Sequence, residues 1–128
     1  MILDSSALVA IVLREPASES LLTRMRGAPN LGIGAATLLE AGIVLSARLN
    51  TDARGLLARL LQESSIEIVH VTDAHVGVAM GAWLRYGKGR HPAALNFGDC
   101  LSYAMAVVAG EPLLCVGDDF PKTDCPLA

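Results

Sequence analysis

Asp4, Glu40, Asp99 and the pair Asp118-Asp119 are the residues of this chain whose types and spacing suit chemistry. Asp4 ends a short apolar run and is followed at once by a helical pattern. A carboxylate at the end of a buried strand is costly to desolvate, so it is normally given a partner, a metal or a task. The other acids fall at comparable strand-to-helix or strand-end positions. Each has an ordinary explanation when taken singly. Asp4 suits a helix N-cap, Asp99 the first turn of a helix capped by Asn96, the Asp pair a turn, and Glu40 a solvated face. Taken together they are harder to explain, because converging carboxylates repel unless a cation sits between them. Oxygen ligands without a Cys or His cluster select Mg²⁺ or Mn²⁺ over Zn²⁺. Such an ion neutralises phosphate oxygens and lowers the pKa of water, which suits phosphodiester hydrolysis with no protein nucleophile.

The elements that position these acids follow from the pattern. Residues 1–3 read as a strand feeding a helix through Ser5-Ser6, with Leu8, Val9 and Val12 inward and an end near Arg14. Pro16 is placed to open a second helix, in which Leu21, Leu22 and Met25 share a face and Gly27 closes the end. Residues 31–34 are a glycine-interrupted strand. Residues 35–50 are helical, with Leu38, Leu39, Ile43 and Leu49 apolar and Glu40 in or near the first turn, on the face of Thr37. Thr51 is placed to cap a helix striped by Leu57, Leu60 and Leu61. Residues 66–71 (IEIVHV) form a β-branched strand, and Thr72 caps a helix whose Val76, Ala79, Met80 and Trp83 face the core. A basic loop, RYGKGRHP, leads to Asn96 and a helix with Leu101, Ala104, Met105 and Val108 inward. Residues 113–116 make a last strand, ending at Gly117-Asp118-Asp119, and the tail adds at most a short edge strand. Strands separated by helices imply crossovers and a parallel sheet covered on both faces, with sites beyond the carboxyl ends of its strands.

Composition narrows the class. The 128 residues are the usual size of a single domain, 52% of them apolar, with a mean hydropathy of +0.46. No stretch reads as a membrane span, and the first apolar run is broken by Asp4 with no basic segment before it, unlike a signal peptide. An intracellular, cytoplasmic protein is expected. Some of the apolar surplus belongs to a sheet covered twice, and some to a surface that meets another chain. Cys100, Cys115 and Cys125 lack C-x-x-C spacing and read as inert buried thiols. The net charge of −3 argues on its face against a nucleic-acid partner. Setting four site acids aside leaves 10 basic against about nine acidic residues, so the average charge does not decide the matter.

Competing motifs are weak. His70, His75 and His91 lack metalloprotease spacing, and GIGAAT at 32–37 has two of the three glycines of a dinucleotide fingerprint and reads as a turn. Neither a Walker A loop nor a G-x-S-x-G elbow is present. Arg85, Lys88, Arg90 and His91 suit phosphate contacts next to Asp99 and equally suit a solvated loop.

MILDSSALVAI at the start, TLLEAG around Glu40, NFGDCLSYAMA around Asp99 and LLCVGDDFPKTD near the end together resemble a PIN-domain ribonuclease of the VapC toxin type. The match runs over nearly the whole chain in order and spacing. The resemblance implies a three-layer α/β/α sandwich with a mainly parallel sheet of four to five strands. It implies Mg²⁺- or Mn²⁺-dependent cleavage of RNA by a metal-activated water, giving 5′-phosphate and 3′-hydroxyl ends. It also implies inhibition by a cognate VapB-type antitoxin, with a homodimer or a toxin–antitoxin hetero-oligomer as the assembly. Asp4 and Asp99 match the family's principal metal ligands, and Glu40 the acid that completes the pocket. Where many members have an aspartate directly after the last strand this chain has Gly117, so Asp118 or Asp119 supplies that charge. Ser6 and Thr37 match hydroxyls that support the carboxylates.

Two rival readings stand beside this one. A receiver- or phosphatase-like phosphate-transfer domain also places acids at the edge of a parallel sheet, but Asp4-Ser5-Ser6 lacks the acid pair such a nucleophile wants. A non-catalytic PIN-like binding module would have no need for the full set of acids.

Overall fold

The computed structural model describes residues 1–128. Four parallel strands, β1 (Ile2–Leu3), β2 (Leu31–Gly34), β3 (Ile66–Val69) and β4 (Leu113–Leu114), lie in the order β3-β2-β1-β4. Ile2 and Leu3 pair with Gly32 and Ile33 on one side and with Leu113 and Leu114 on the other. The strand that delivers Asp4 is therefore interior, hydrogen-bonded along both edges. The tail adds no fifth strand, only an isolated bridge between Leu113 and Leu127.

Six helices cover the sheet: α1 (Ser5–Val12), α2 (Ser18–Gly27), α3 (Ala35–Leu49), α4 (Arg54–Glu63), α5 (Asp73–Tyr86) and α6 (Phe97–Ala109). Successive strand residues point to opposite faces, so two cores form. Leu3, Ile33 and Leu114 join Leu8, Leu21, Leu45 and Leu57 in one core, against α1 to α4. Ile2 and Leu113 join Ala82, Tyr86, Tyr103, Met105 and Phe120 in the other, against α5 and α6. This is the expected α/β/α sandwich. Leu3, Leu8 and Leu45 are wholly buried, and truncating any one of them to Ala would cost about 2–5 kcal/mol.

The structure corrects several sequence-based expectations. Trp83 is 40% exposed, and Val76 and Met80 are exposed as well. α5 has two apolar stripes, and the one that packs inward runs through His75, Ala82 and Tyr86. That face packs against α6, and Val76, Met80 and Trp83 are turned outward. Likewise α3 buries Thr37, Ala41 and Leu45 and exposes Leu39, Ile43 and Leu49. Glu40 falls just past the first turn of α3, as expected of a helix that begins at Ala35. Thr51 does not cap α4. Ala53 holds that position, while Asp52 accepts the Arg54 N–H.

Two of the helix starts hold acids of the predicted site. Asp4 is the N-cap of α1, its Oδ2 accepting the Ser6 N–H at 3.0 Å. Asn96 caps α6 reciprocally with Asp99: Asn96 Oδ1 accepts the Asp99 N–H, and Asp99 Oδ2 accepts the Asn96 N–H, both at 2.9 Å.

Candidate active site

The carboxyl ends of β1 and β4 and the starts of α1 and α6 meet at one edge of the sheet. Asp4 is only 4% exposed and is held by more than its backbone cap. Ser6 Oγ donates to Asp4 Oδ2 at 2.6 Å and accepts the Val116 N–H at 3.0 Å, which ties the exit of β4 to the exit of β1. Glu40 reaches the same edge from α3, where its Oε1 accepts a hydrogen bond from Ser5 Oγ at 2.9 Å. Its other oxygen lies against Gly98, in space that a Cβ at residue 98 would overlap. Glycine at this position is what lets Glu40 and the first turn of α6 approach so closely.

Asp99 completes the grouping. Partial burial pushes its carboxyl up to about 6, and the charges of Asp4, Asp119 and Glu40 push in the same direction against the Asn96 N–H. The charges of Asp4, Glu40 and Asp119 thus all act on Asp99. Asp118 and Asp119 are both exposed, and Asp119 is the one whose charge is among the main influences on Asp99. The next residue explains the choice: Phe120 is buried in the second core and starts a short 3₁₀ turn (Phe120–Lys122), so Asp119 is the acid held beside a fixed anchor.

Thr37 occupies a different place from Ser6. It is buried, 3.3 Å from Ser102 Oγ across the α3–α6 contact, and makes no hydrogen bond to a carboxylate. Ser5 and Gly98 are the contributors that sequence reasoning passed over. The contact of Ser5 with Glu40 spans 35 residues, and no local pattern signals it.

The other titratable groups stand apart. His75 is buried as the capping partner of Thr72, its Nδ1 accepting the Thr72 N–H at 3.0 Å, and His91 Nδ1 accepts the Ala93 N–H at 3.0 Å. Burial pushes the Cys115 thiol up to about 11 and Cys125 to about 12, as inert thiols require.

The donor set suits a hard divalent cation. Asp4 Oδ1 and Asp99 Oδ1 accept no protein hydrogen bond, while no buried side-chain polar atom lacks a partner, so these oxygens are open to solvent. No group of three or more Asp, Glu, His or Cys side chains is arranged to hold a metal ion. Mg²⁺ takes as few as one or two carboxylates together with waters and substrate phosphate oxygens, and the free oxygens of Asp4 and Asp99 are compatible with that.

A doubly covered parallel sheet with acids gathered beyond its strand ends defines a class, and the model of the PIN domain matches residues 1–125. The chain belongs to the PIN-domain family. It is 46% identical over 125 residues to ribonuclease VapC36 of Mycobacterium tuberculosis and equally to a VapC ribonuclease of Mycobacterium bovis, covering 97% of this chain and 90% of each relative. A ribonuclease VapC of Mycolicibacterium smegmatis is 42% identical over 124 residues, covering 97% of this chain and 96% of that one. Among solved structures, the Mycobacterium tuberculosis toxin VapC20, described as cleaving the sarcin-ricin loop, superposes with a TM-score of 0.77 at 18% identity, covering 99% of this chain and 97% of that one. A toxin–antitoxin complex from Klebsiella pneumoniae gives 0.72 at 13% identity, covering 99% and 95%. At these identities the two structures speak for the fold alone.

Proposed function

We propose that this chain is a VapC-type toxin: a metal-dependent endoribonuclease, with residues 1–128 acting as one domain, that hydrolyses RNA phosphodiester bonds and is inhibited by a cognate VapB-type antitoxin. One observation carries the reading. Partial burial, with the charges of three neighbouring carboxylates added to it, raises the pKa of Asp99 at the open edge of the sheet, an arrangement that a cation would relieve.

In this mechanism Asp4 and Asp99 hold Mg²⁺, with Mn²⁺ able to substitute, and Glu40 and Asp119 complete the negative pocket. The ion supplies charge neutralisation at the non-bridging phosphate oxygens and lowers the pKa of water. Ser6 locks the Asp4 carboxylate in orientation from one side, leaving Oδ1 for the ion. Ser5 does the same for Glu40, leaving Oε2 to orient a water or take its proton. Asn96 fixes Asp99 through Oδ2 and leaves Oδ1 free. The rival phosphate-transfer reading wants an acid pair at its nucleophile, whereas Asp4 is followed by Ser5 and Ser6.

A groove of about 710 Å³ between α3 and α4, lined by Leu38, Leu39, Ile43, Leu57, Leu61 and Ile68, suits an apolar segment of the antitoxin. A homodimer or a toxin–antitoxin hetero-oligomer is the assembly this reading implies. No helix is long and apolar enough to cross a membrane, and we place the protein in the cytoplasm, with its RNA.

The test is cleavage of a structured-RNA pool by purified protein with Mg²⁺ or Mn²⁺, beside an EDTA control and Asp99→Asn. Metal-dependent cuts absent from both controls support the reading. A protein that neither cleaves nor binds metal is a non-catalytic PIN module.

A further inference from the structure

The acids account for the reaction and leave unused a cationic, aromatic corner beside them. Trp83 stands in the last turn of α5, partly exposed, and the Arg90 guanidinium lies over it with Cζ 4.8 Å from the ring centroid. Arg90 Nε donates to the Leu84 carbonyl at 3.1 Å, and its terminal nitrogens make no protein hydrogen bond. Gly87 permits this packing: a Cβ there would overlap the Trp83 carbonyl oxygen and fall 2.7 and 2.8 Å from the ring atoms Cδ1 and Nε1. Backbone hydrogen bonds fasten the loop, with Lys88 N donating to Leu95 O at 3.0 Å, Leu95 N to Tyr86 O at 2.9 Å, and Arg90 N to Gly87 O at 2.9 Å. Leu95 leads directly into Asn96, so the loop is joined to the helix end that bears Asp99. Phe97, 81% exposed, is a wall common to two clefts, one with Trp83, Met80 and Cys100 and the other with Glu40 and Gly98.

The stacking of Arg90 on an exposed Trp83, beside an exposed Phe97, distinguishes this corner from a solvated loop. Arg85 is paired with Asp124 at 2.9 Å, whereas Lys88 and Arg90 form no ion pair in a chain of net charge −3. A pocket of four acids repels a polyanion, so a strand that enters it needs cations on its flank. Unpaired cations set among exposed rings meet the two requirements of single-strand binding, neutralised phosphates and stacked bases.

We infer that Trp83, Arg90, Lys88 and Phe97 form the docking site for the RNA strand, resting on the nuclease reading above. An unpaired base next to the scissile phosphate stacks on the Trp83–Arg90 pair or on Phe97, and Lys88 and Arg90 contact the neighbouring phosphates. The ligand class is single-stranded RNA or an unpaired loop, and the corner sets which nucleotides lie over the metal.

Trp83 is the only tryptophan, so its emission reports on this corner directly. The Asp99→Asn protein is titrated in EDTA with a labelled mixed-sequence RNA oligonucleotide, reading anisotropy and tryptophan emission together. The expected result is saturable binding that changes Trp83 emission and weakens with salt. Lys88→Gln should lower the slope of log affinity against log salt by about one, and Arg90→Gln should weaken binding about 10-fold. In the active background both variants should raise KM for RNA with kcat kept within a few-fold, and both should melt with the parent, since neither residue is buried. RNA binding that leaves Trp83 emission unmoved, or an Arg90→Gln affinity and salt slope equal to the parent's, overturns this inference while leaving the nuclease intact. Emission that follows protein concentration instead of RNA assigns the corner to a second copy of the chain and also overturns it. A parent that neither binds nor cuts RNA with Mg²⁺ removes the nuclease reading itself.

Discussion

Gly98 and Glu40 are matched across the α3–α6 contact: the carboxylate of Glu40 occupies the space that a side chain at residue 98 would take. Gly98→Ala should therefore push Glu40 off its seat against Ser5 and reduce cleavage by about 10-fold or more. Alanine also favours the helix by up to about 1 kcal/mol, so thermal stability should change little. Kinetics of the double variant Gly98→Ala/Glu40→Ala check the cause. If the glycine acts through Glu40, the pair should be no worse than Glu40→Ala alone.

Asp99→Asn should abolish metal-dependent cleavage, by at least about 100-fold, while stabilising the metal-free protein. The folded Asp99 carboxyl sits at about 6 against an ordinary 3.8. A raised pKa contributes stability that is complete below 3.8 and is lost as pH rises through about 6. The asparagine variant should match the parent in acid and pull ahead across that interval, by on the order of 1 kcal/mol once solvent screening is discounted. Melting curves across pH without metal read this difference, and saturating Mg²⁺ should close it by stabilising the parent alone.

Asp119 and Asp118 should separate in a paired experiment. Neutralising Asp119 to Asn removes one of the main charges that act on Asp99. We expect Asp119→Asn to weaken Mn²⁺ affinity and cleavage by about 10-fold and Asp118→Asn to stay near the parent. Titration calorimetry with Mn²⁺ and initial cleavage rates decide it, and equal losses would remove the assignment.

The tail is held by a second carboxylate network. Asp124 accepts from Tyr103 Oη at 2.7 Å and from Arg85 Nη2 at 2.9 Å, which hold its carboxyl below the ordinary range, the Tyr103 bond contributing most. A depressed pKa contributes stability that is present above the unfolded value, about 3.9, and is lost as pH falls through the folded one. Asp124→Asn should melt slightly earlier than the parent at neutral pH, by less than about 1 kcal/mol for so exposed a pair, and the gap should vanish in acid. A gap that persists in strong acid would show that the charge is not its origin.

Much of the site was legible because its parts are locally encoded. Asp4 and Asp99 each follow from capping chemistry, in which a short acidic side chain next to a helix start satisfies free N–H groups. The strands at 31–34 and 66–69 and the six helices follow from apolar period and turn residues. Trp83 was misplaced because α5 carries two apolar stripes, and period alone does not say which one meets α6.

By itself, the sequence determined the fold class and the placing of Asp4 and Asp99 at helix starts, since strand pattern and helix capping are properties of residue type and short spacing. Only the tertiary structure put the charge of Asp119 to work on Asp99, set Ser5 against Glu40 and turned Trp83 outward to meet Arg90. Each of those outcomes depends on which surfaces exclude water from one another across distant segments, and that is decided by packing the whole chain at once.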